Sequence, residues 1–297
     1  MASLLEIKNQ INGIKNTKKI TKAMQLVAAA KSRQFQTKAI SIRNFAFDLL
    51  YILANNPEDL SDSSFLKNRD QGQTIFILYS SDKGLCGALN QQLFRAFIQS
   101  KVWQELKSDQ RQVITIGRKA TNFIKFQGIE PLQSFENLDE KMNQYEALNH
   151  ISKIVDYWNN SYAKKIYMVA PHYRNSFTFY PIIKQFLPLS DNILQSHIGV
   201  HPEVFTKKIR NNRSRVTLYE PSEDLVAERL IEDIINVLFL QAFYDLKASE
   251  YSSRMIAMQS ATDNADKLIK GKSLLMNKIR QAAITQEISE IVGASFI

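Results

Sequence analysis

The chain has 297 residues, 44 % of them apolar, with nine glycines and seven prolines, a composition that buries a sizeable core and favours long regular elements over loops. No run of about eighteen uncharged apolar residues is present, so no membrane-spanning helix is expected; a single cysteine, Cys86, excludes an internal disulfide, a cysteine-built zinc site and a dithiol switch among these residues. The formal charge of +9 asks for an acidic partner, whether nucleic acid, anionic membrane or acidic protein surface.

The first twenty residues meet lysine too early and space their apolar positions too widely for a secretory signal, so a mature, untargeted, soluble chain in a reducing, cytosolic compartment is expected. Proline is absent from Met1 to Asn56, and Leu4, Ile7, Ile11, Ile14, Ile20, Met24, Val27, Phe35, Ile42, Leu49 and Leu53 recur at three- and four-residue steps. At 1.5 Å per residue this predicts one helix roughly 75 Å long, a length that belongs to a coiled coil. From Ile7 to Phe47 its charged side chains are all basic: Lys8, Lys15, Lys18, Lys19, Lys22, Lys31, Arg33, Lys38 and Arg43.

The pattern then shortens. Thr74 to Ser81, Val113 to Gly117, Lys165 to Pro171 and Ser176 to Ile183 read as strands; Ala88 to Leu106, Lys119 to Phe126 and Tyr145 to Tyr162 read as helices. Their alternation predicts a small, mainly parallel α/β domain. Residues 187 to 219, with Pro188, Gly199, Pro202 and the run "KKIRNNRSR", form an excursion before a second long helix that starts around Pro221, Ser222 and Glu223. That helix carries Leu230, Ile234, Val237, Leu238, Met255, Met258, Ala265, Leu268, Leu275, Ile279, Ile284 and Ile291 at helical spacing. The expected fold is therefore α/β, a long antiparallel coiled coil of the N- and C-terminal helices with a Rossmann-like domain inserted, divided as 1–56, 72–218 and 221–297. Antiparallel pairing lays the basic N-terminal segment beside a mixed-charge tail and leaves its charge available to a partner.

Few residues invite a chemical reading. "GKS" at Gly271 to Ser273 lacks the earlier glycine of a phosphate-binding loop, since Asp266 stands there, and lies within a helical pattern. His197 and His201 are four apart but flank Gly199 and precede Pro202, which argues against one helical face; His150 and His172 have no ligand set around them. "SSDKGLCGALN", Ser80 to Asn90, follows a buried strand, where α/β folds place ligands, yet it reads equally as a structural strand-to-helix turn, which is the favoured reading. No nucleophile elbow, zincin or dinucleotide fingerprint is present. The lysines of Lys15 to Met24 suit phosphate or an acidic protein loop, and no aromatic residues are interleaved to stack bases.

"IKNQINGIKNTKKITKAMQLVAAAKSR", "SSDKGLCGALN", "LYEPS" and "SEYSSRMIAMQSATDNADKLI" through "NKIRQAAITQEISEIVGA" together resemble the γ subunit of F-type ATP synthases, the central rotor shaft. The resemblance is near-continuous at both ends and scattered in the middle. It implies that the terminal helices rise through a hexamer of alpha and beta subunits. Ile288, Ile291, Val292 and Phe296 would be the bearing tip in an apolar sleeve. Arg280, Gln281, Thr285 and Glu287 would face catch loops of the catalytic subunits, and Lys19, Lys22 and Met24 their acidic lever loops. It further implies an epsilon subunit and a c ring at the globular end, with torque driven by proton or sodium flow, and no catalytic, cofactor or metal site in this chain. Lacking the paired cysteines of the chloroplast form and a visible transit peptide, the chain is expected at the cytoplasmic side of a bacterial inner membrane. The rivals are the rotor of a soluble ATPase with no ion-conducting ring, a coiled-coil nucleic-acid tether, and an α/β enzyme with helical arms.

Overall fold

The computed structural model describes residues 4–55, 63–140, 142, 144–189, 220 and 222–294. Helix α1 runs Leu4–Asn55 and the last helix, α6, runs Glu223–Ala294. Pro221, His197, His201 and the "KKIRNNRSR" run lie outside the described residues. The chain forms two compact units, residues 1–30 with 254–297, and residues 31–253.

The first unit is a two-helix coil. On α1 the inward positions are 7, 11, 14, 18, 21, 25 and 28; on α6 they are 258, 262, 265, 269, 272, 276, 279 and 283. Steps of four and three alternate without a break on both helices, the 3.5-residue period that a left-handed supercoil demands. Cross-helix hydrogen bonds fix direction and register. Lys272 Nζ donates to Gln10 Oε1 at 2.7 Å, Lys18 Nζ to Asp266 Oδ1 at 2.5 Å, and the Thr21 and Thr262 hydroxyls lie 2.9 Å apart. Gln25 Nε2 donates to Gln259 Oε1. One index falls as the other rises, so the pair is antiparallel. The seam departs from the apolar stripe expected of the sequence. Ile20 and Val27 are 61 % and 58 % exposed, Leu268 and Leu275 are exposed too, and Lys18, Thr21 and Gln25 take the inward places. Their polar atoms are satisfied across the seam, and at a 3.5-residue period the neighbouring apolar residues turn outward.

In the second unit a five-stranded sheet has the order β3-β2-β1-β4-β5. Strand β1 (Gln73–Tyr79) lies between β2 (Arg111–Ile116) and β4 (Ala163–Asn175), all parallel; β3 (Gln133–Phe135) pairs parallel with β2, and β5 (Thr178–Leu187) pairs antiparallel with β4. Six consecutive residues of β1, Thr74 to Tyr79, are buried, because both faces of the sheet are covered. Ile75, Ile77 and Tyr79 join α5 (Gln144–Asn159) and the Ile231–Leu246 stretch of α6; Phe76 and Leu78 join α2 (Leu89–Gln99), Trp103 of α3 (Lys101–Glu105) and α4 (Arg118–Phe126). α6 is buried almost all round here, and the charged residues it carries inward meet partners there, Asp245 with Arg43 and Lys247 with Glu250.

Three details differ from the sequence reading. The stretch 88–106 is two helices, broken at Ser100, whose hydroxyl accepts from Trp103 N and caps α3. The last two strands form a hairpin. Pro171 and Pro181 face each other in it, which β-structure tolerates because the β1–β4 ladder ends at Val169 and β5 is an edge. Strand β3 is only three residues long, too short for an alternating pattern to show in the sequence.

Candidate functional site: the outward faces of the long helices

The carboxyl ends of parallel strands are where an α/β fold holds ligands. Here the chain's own side chains occupy that place. Ser80 Oγ accepts from Ala120 N at 2.7 Å, and Asp82 Oδ1 accepts from Arg118 N and Asn137 N, both at 3.0 Å, so amides at the start of α4 are satisfied internally. Asn90 accepts from Ser81 N and donates to Ser81 Oγ, closing the turn over the buried Cys86. Gly117, at φ +93, lies so close to Ser80 that a Cβ would stand 2.1 Å from its carbonyl oxygen. "SSDKGLCGALN" is thus the structural turn favoured from the sequence.

Of the remaining candidates, Gly271, His150 and His172 are among the described residues. Gly271 lies inside α6 in open space. His150 packs edge-on against Phe135, its pKa lowered by burial and by Lys153. His172 Nδ1 stands 3.6 Å from Asp245 Oδ2, a neighbour 73 positions away that no local spacing discloses. Among the described residues no three histidines, cysteines or acids gather as a metal would need.

Two surfaces of the helical unit are left. The first is an open groove beside α1, lined by Asn12, Lys15, Asn16, Lys18, Lys19, Lys22, Ala23 and Leu26 with Asp266 and Ile269 of α6. Lys18 is neutralised by Asp266, whereas Lys15, Lys19 and Lys22 are exposed and make no ion pair among the described residues. Met24, half-buried, turns partly into the coil, and the exposed Leu26 flanks the lysines. The groove is basic with an apolar margin, a shape for an acidic peptide segment.

The second is the end of α6. The seam pattern through 276, 279 and 283 continues to 286 and 290, but these are Gln286 and Glu290, hydrogen-bonded to each other at 3.0 Å. The apolar residues step one or two positions aside to Ile284, Ile288, Ile291 and Val292, all exposed, Ile291 to 70 %. Each residue is about 100° of helix turn, so one or two steps carry this stripe away from the line that α1 follows. Arg280, Gln281, Thr285 and Glu287 are exposed around it, the Thr285 hydroxyl bonded back to Gln281 O at 2.9 Å. Phe296 lies outside the described residues.

A family model described as ATP synthase matches residues 3–295. The ATP synthase gamma chain of Stenotrophomonas maltophilia is 34 % identical over 299 residues and that of Psychrobacter arcticus 35 %, each alignment covering 99 % of both chains. The chain belongs to the ATP synthase gamma chain family. Its function is that of a central-stalk rotor subunit, part of a membrane-associated complex that makes or splits ATP, and among its described residues no helix is long and apolar enough to cross a membrane. Similar folds occur in the Euglena gracilis mitochondrial ATP synthase. The match to its OSCP/F1/c-ring structure in rotational state 3 has TM-score 0.66 at 18 % identity, over 98 % of this chain and 93 % of the other. The match to its rotor in rotational state 1 has TM-score 0.60 over 95 % and 98 %.

The sequence singles out the Lys15 to Met24 stretch, and with it most of the α1 side of the groove, but not Asn12, Leu26 or Ile269. Asn12, Leu26 and Ile269 carry no local signal, and only the 3.5-residue register shows that they share a face with the lysines.

Proposed function

We propose that this chain turns within a hexamer of alpha and beta subunits as the shaft of a proton-translocating bacterial ATP synthase. Its α/β unit would be gripped by a c ring and an epsilon subunit at the cytoplasmic side of the inner membrane. The observation that carries this reading is the displaced apolar stripe of α6. A helix made only to extend the coil would keep apolar residues at 286 and 290; instead they lie at 284, 288, 291 and 292, exposed and suited to an enclosing apolar partner. Ile288, Ile291 and Val292, with Phe296, serve as the bearing, and Arg280, Gln281, Thr285 and Glu287 contact the ring below it. Lys19, Lys22 and Met24, with the groove around them, meet an acidic loop of the catalytic subunits.

No chemistry is required of the chain itself, and the filled strand ends at Ser80 and Asp82 support a non-catalytic role. An asymmetric shaft in a three-fold ring touches each catalytic subunit differently. The difference in contact energy biases each toward a different nucleotide state, and by reciprocity nucleotide binding and release turn the shaft. The test is to purify the tagged chain from native membranes in mild detergent. Alpha, beta, epsilon and c subunits are expected with it, and the isolated chain is expected to hydrolyse no ATP. Recovery of alpha and beta without a ring would favour a soluble ATPase, and turnover by the chain alone would overturn the non-catalytic assignment.

A further inference from the structure

In the second unit the chain between β3 and α5 is longer than the step requires. A strand-to-helix connection usually takes about 2–6 residues; this one runs from Glu136 past Met142 before α5 begins at Gln144. Both of its ends are fastened. At the first, Asn137 N donates to Asp82 Oδ1 at 3.0 Å, Arg118 Nη2 donates to Asn137 Oδ1 at 3.0 Å, and Arg118 Nε lies 3.5 Å from Glu136 Oε2, which tethers it to the turn after β1 and the start of α4. At the second, Glu140 accepts from Lys31 Nζ of α1 and from the Tyr251 hydroxyl of α6, and Met142 O accepts from the Tyr244 hydroxyl at 2.9 Å. Asn137 takes φ +54, a left-handed turn that asparagine tolerates. We propose that Glu136 to Glu140, with Met142, form a strap, latched at Asp82 and at Glu140, that binds the sheet to both long helices and opens as one unit when either latch is lost.

The second latch closes on the seam between the helices and not on one helix alone. Tyr244 and Tyr251 are two helical turns apart and share one face of α6, as Lys31, Phe35 and Lys38 share one face of α1. Phe35 stacks on Tyr251, 5.6 Å between ring centres and 4° between planes, and Lys38 lies over Phe35 and Tyr244 at 5.7 and 5.3 Å. The rings whose hydroxyls hold the strap are thus themselves held against α1. The Lys31–Glu140 pair is just over a third exposed and contributes little by itself. A phenol donating to a carboxylate makes a stronger, charge-assisted bond, and Tyr251 is only 7 % exposed. Leu138 packs against the main core and Met142 is buried in it, so opening the strap brings apolar surface into water. Asn137 and Glu140 are separated by no more than about 11 Å of fully extended chain, too little to absorb a shift at one latch without moving the other. On the rotor reading, on which this consequence alone rests, the strap passes torque from the sheet into both helices together.

The test uses the full chain and compares hydrogen exchange in wild type, Glu140→Gln and Tyr251→Phe. The reporter is the Asn137 amide, which bonds to Asp82 at the far latch. Both variants should lower protection at Asn137 by about fivefold or more, together with that at Met142, and leave Gln73–Tyr79 unchanged. Wild-type protection at Asn137 in both variants would make the two ends independent and overturn the strap. An equal fall at Gln73–Tyr79 would overturn it too, by making Glu140 a general stabiliser. Denaturant unfolding of Asp82→Ala, Glu140→Gln and the double variant supplies the second readout. Independent contacts multiply their effects on the folding equilibrium, whereas a shared strap is lost only once. The double variant should therefore fall short of the product of the single effects by about threefold or more; a simple product overturns the proposal. Neither measurement involves other subunits, so failure here leaves the rotor assignment standing.

Discussion

Gly117 shows how closely one position can be determined. Its φ of +93 is one that L side chains rarely adopt, and a Cβ would stand 2.1 Å from Ser80 O, so both backbone conformation and space forbid a side chain. Gly117→Ala is expected to destabilise by more than about 2 kcal/mol in denaturant unfolding; a loss under about 0.5 kcal/mol would mean that the β1 turn gives way freely. Glu140 makes a pH-dependent contribution to stability. Burial pushes its carboxyl up, but hydrogen bonds from Lys31 and Tyr251 and the charges of Lys31 and Lys247 together outweigh that and leave it below 4.5. A depressed acid stabilises the fold above its unfolded value, and the contribution is lost as pH falls through the folded one. The stability gap between wild type and Glu140→Gln should therefore be full near neutrality and close below about pH 4; a gap that persists in acid would exclude the ionic clamp.

At the scale of the element, the coil seam is unusual in carrying Lys18, Thr21 and Gln25 opposite Asp266, Thr262 and Gln259. Polar layers lower coil stability while fixing register. Replacing Thr21 and Thr262 together by leucine should raise the melting temperature, corresponding to about 1 kcal/mol or more, whereas replacing Lys18 alone by methionine should change stability by less than about 1 kcal/mol, because the Lys18–Asp266 pair is more than a third exposed. If the threonine replacement left the transition unmoved, that layer would not be inside the coil in solution. The long helices were legible because proline is absent from both ends and the three-four spacing is sustained. Their seam was not, since a helix face counted in apolar residues selects Ile20, Val27 and Leu268, all of which are exposed. Cross-seam pairing of two polar residues leaves no local trace. The hairpin was missed for a related reason. Lys165 to Pro171 and Ser176 to Ile183 read as strands, but strand direction is decided by the short Asn175–Thr178 turn, which carries no glycine or proline signal. At the α6 tip the apolar spacing of the sequence runs Ile284 and Ile291 on from Ile279 as one stripe, whereas both are exposed and lie off the seam that ends at 283.

For the whole molecule, the surfaces proposed to meet partners are ones that contribute little to folding stability. Ile284, Ile288 and Ile291 are exposed and contribute little packing to the chain that carries them. Changing the three to serine should leave the unfolding transition of the isolated chain within about 0.5 kcal/mol and weaken assembly with the catalytic hexamer; a large loss of intrinsic stability would show the stripe to be core. The central claim is that the chain transmits torque. Its most direct test is to anchor the assembled complex by its catalytic subunits and follow a probe on Phe177→Cys, a position 80 % exposed where the native Cys86 is buried. ATP should drive turning in one direction with three pauses per revolution, one for each catalytic subunit. A probe that stays fixed, or swivels equally both ways while ATP is hydrolysed, would contradict a rotor role for this chain.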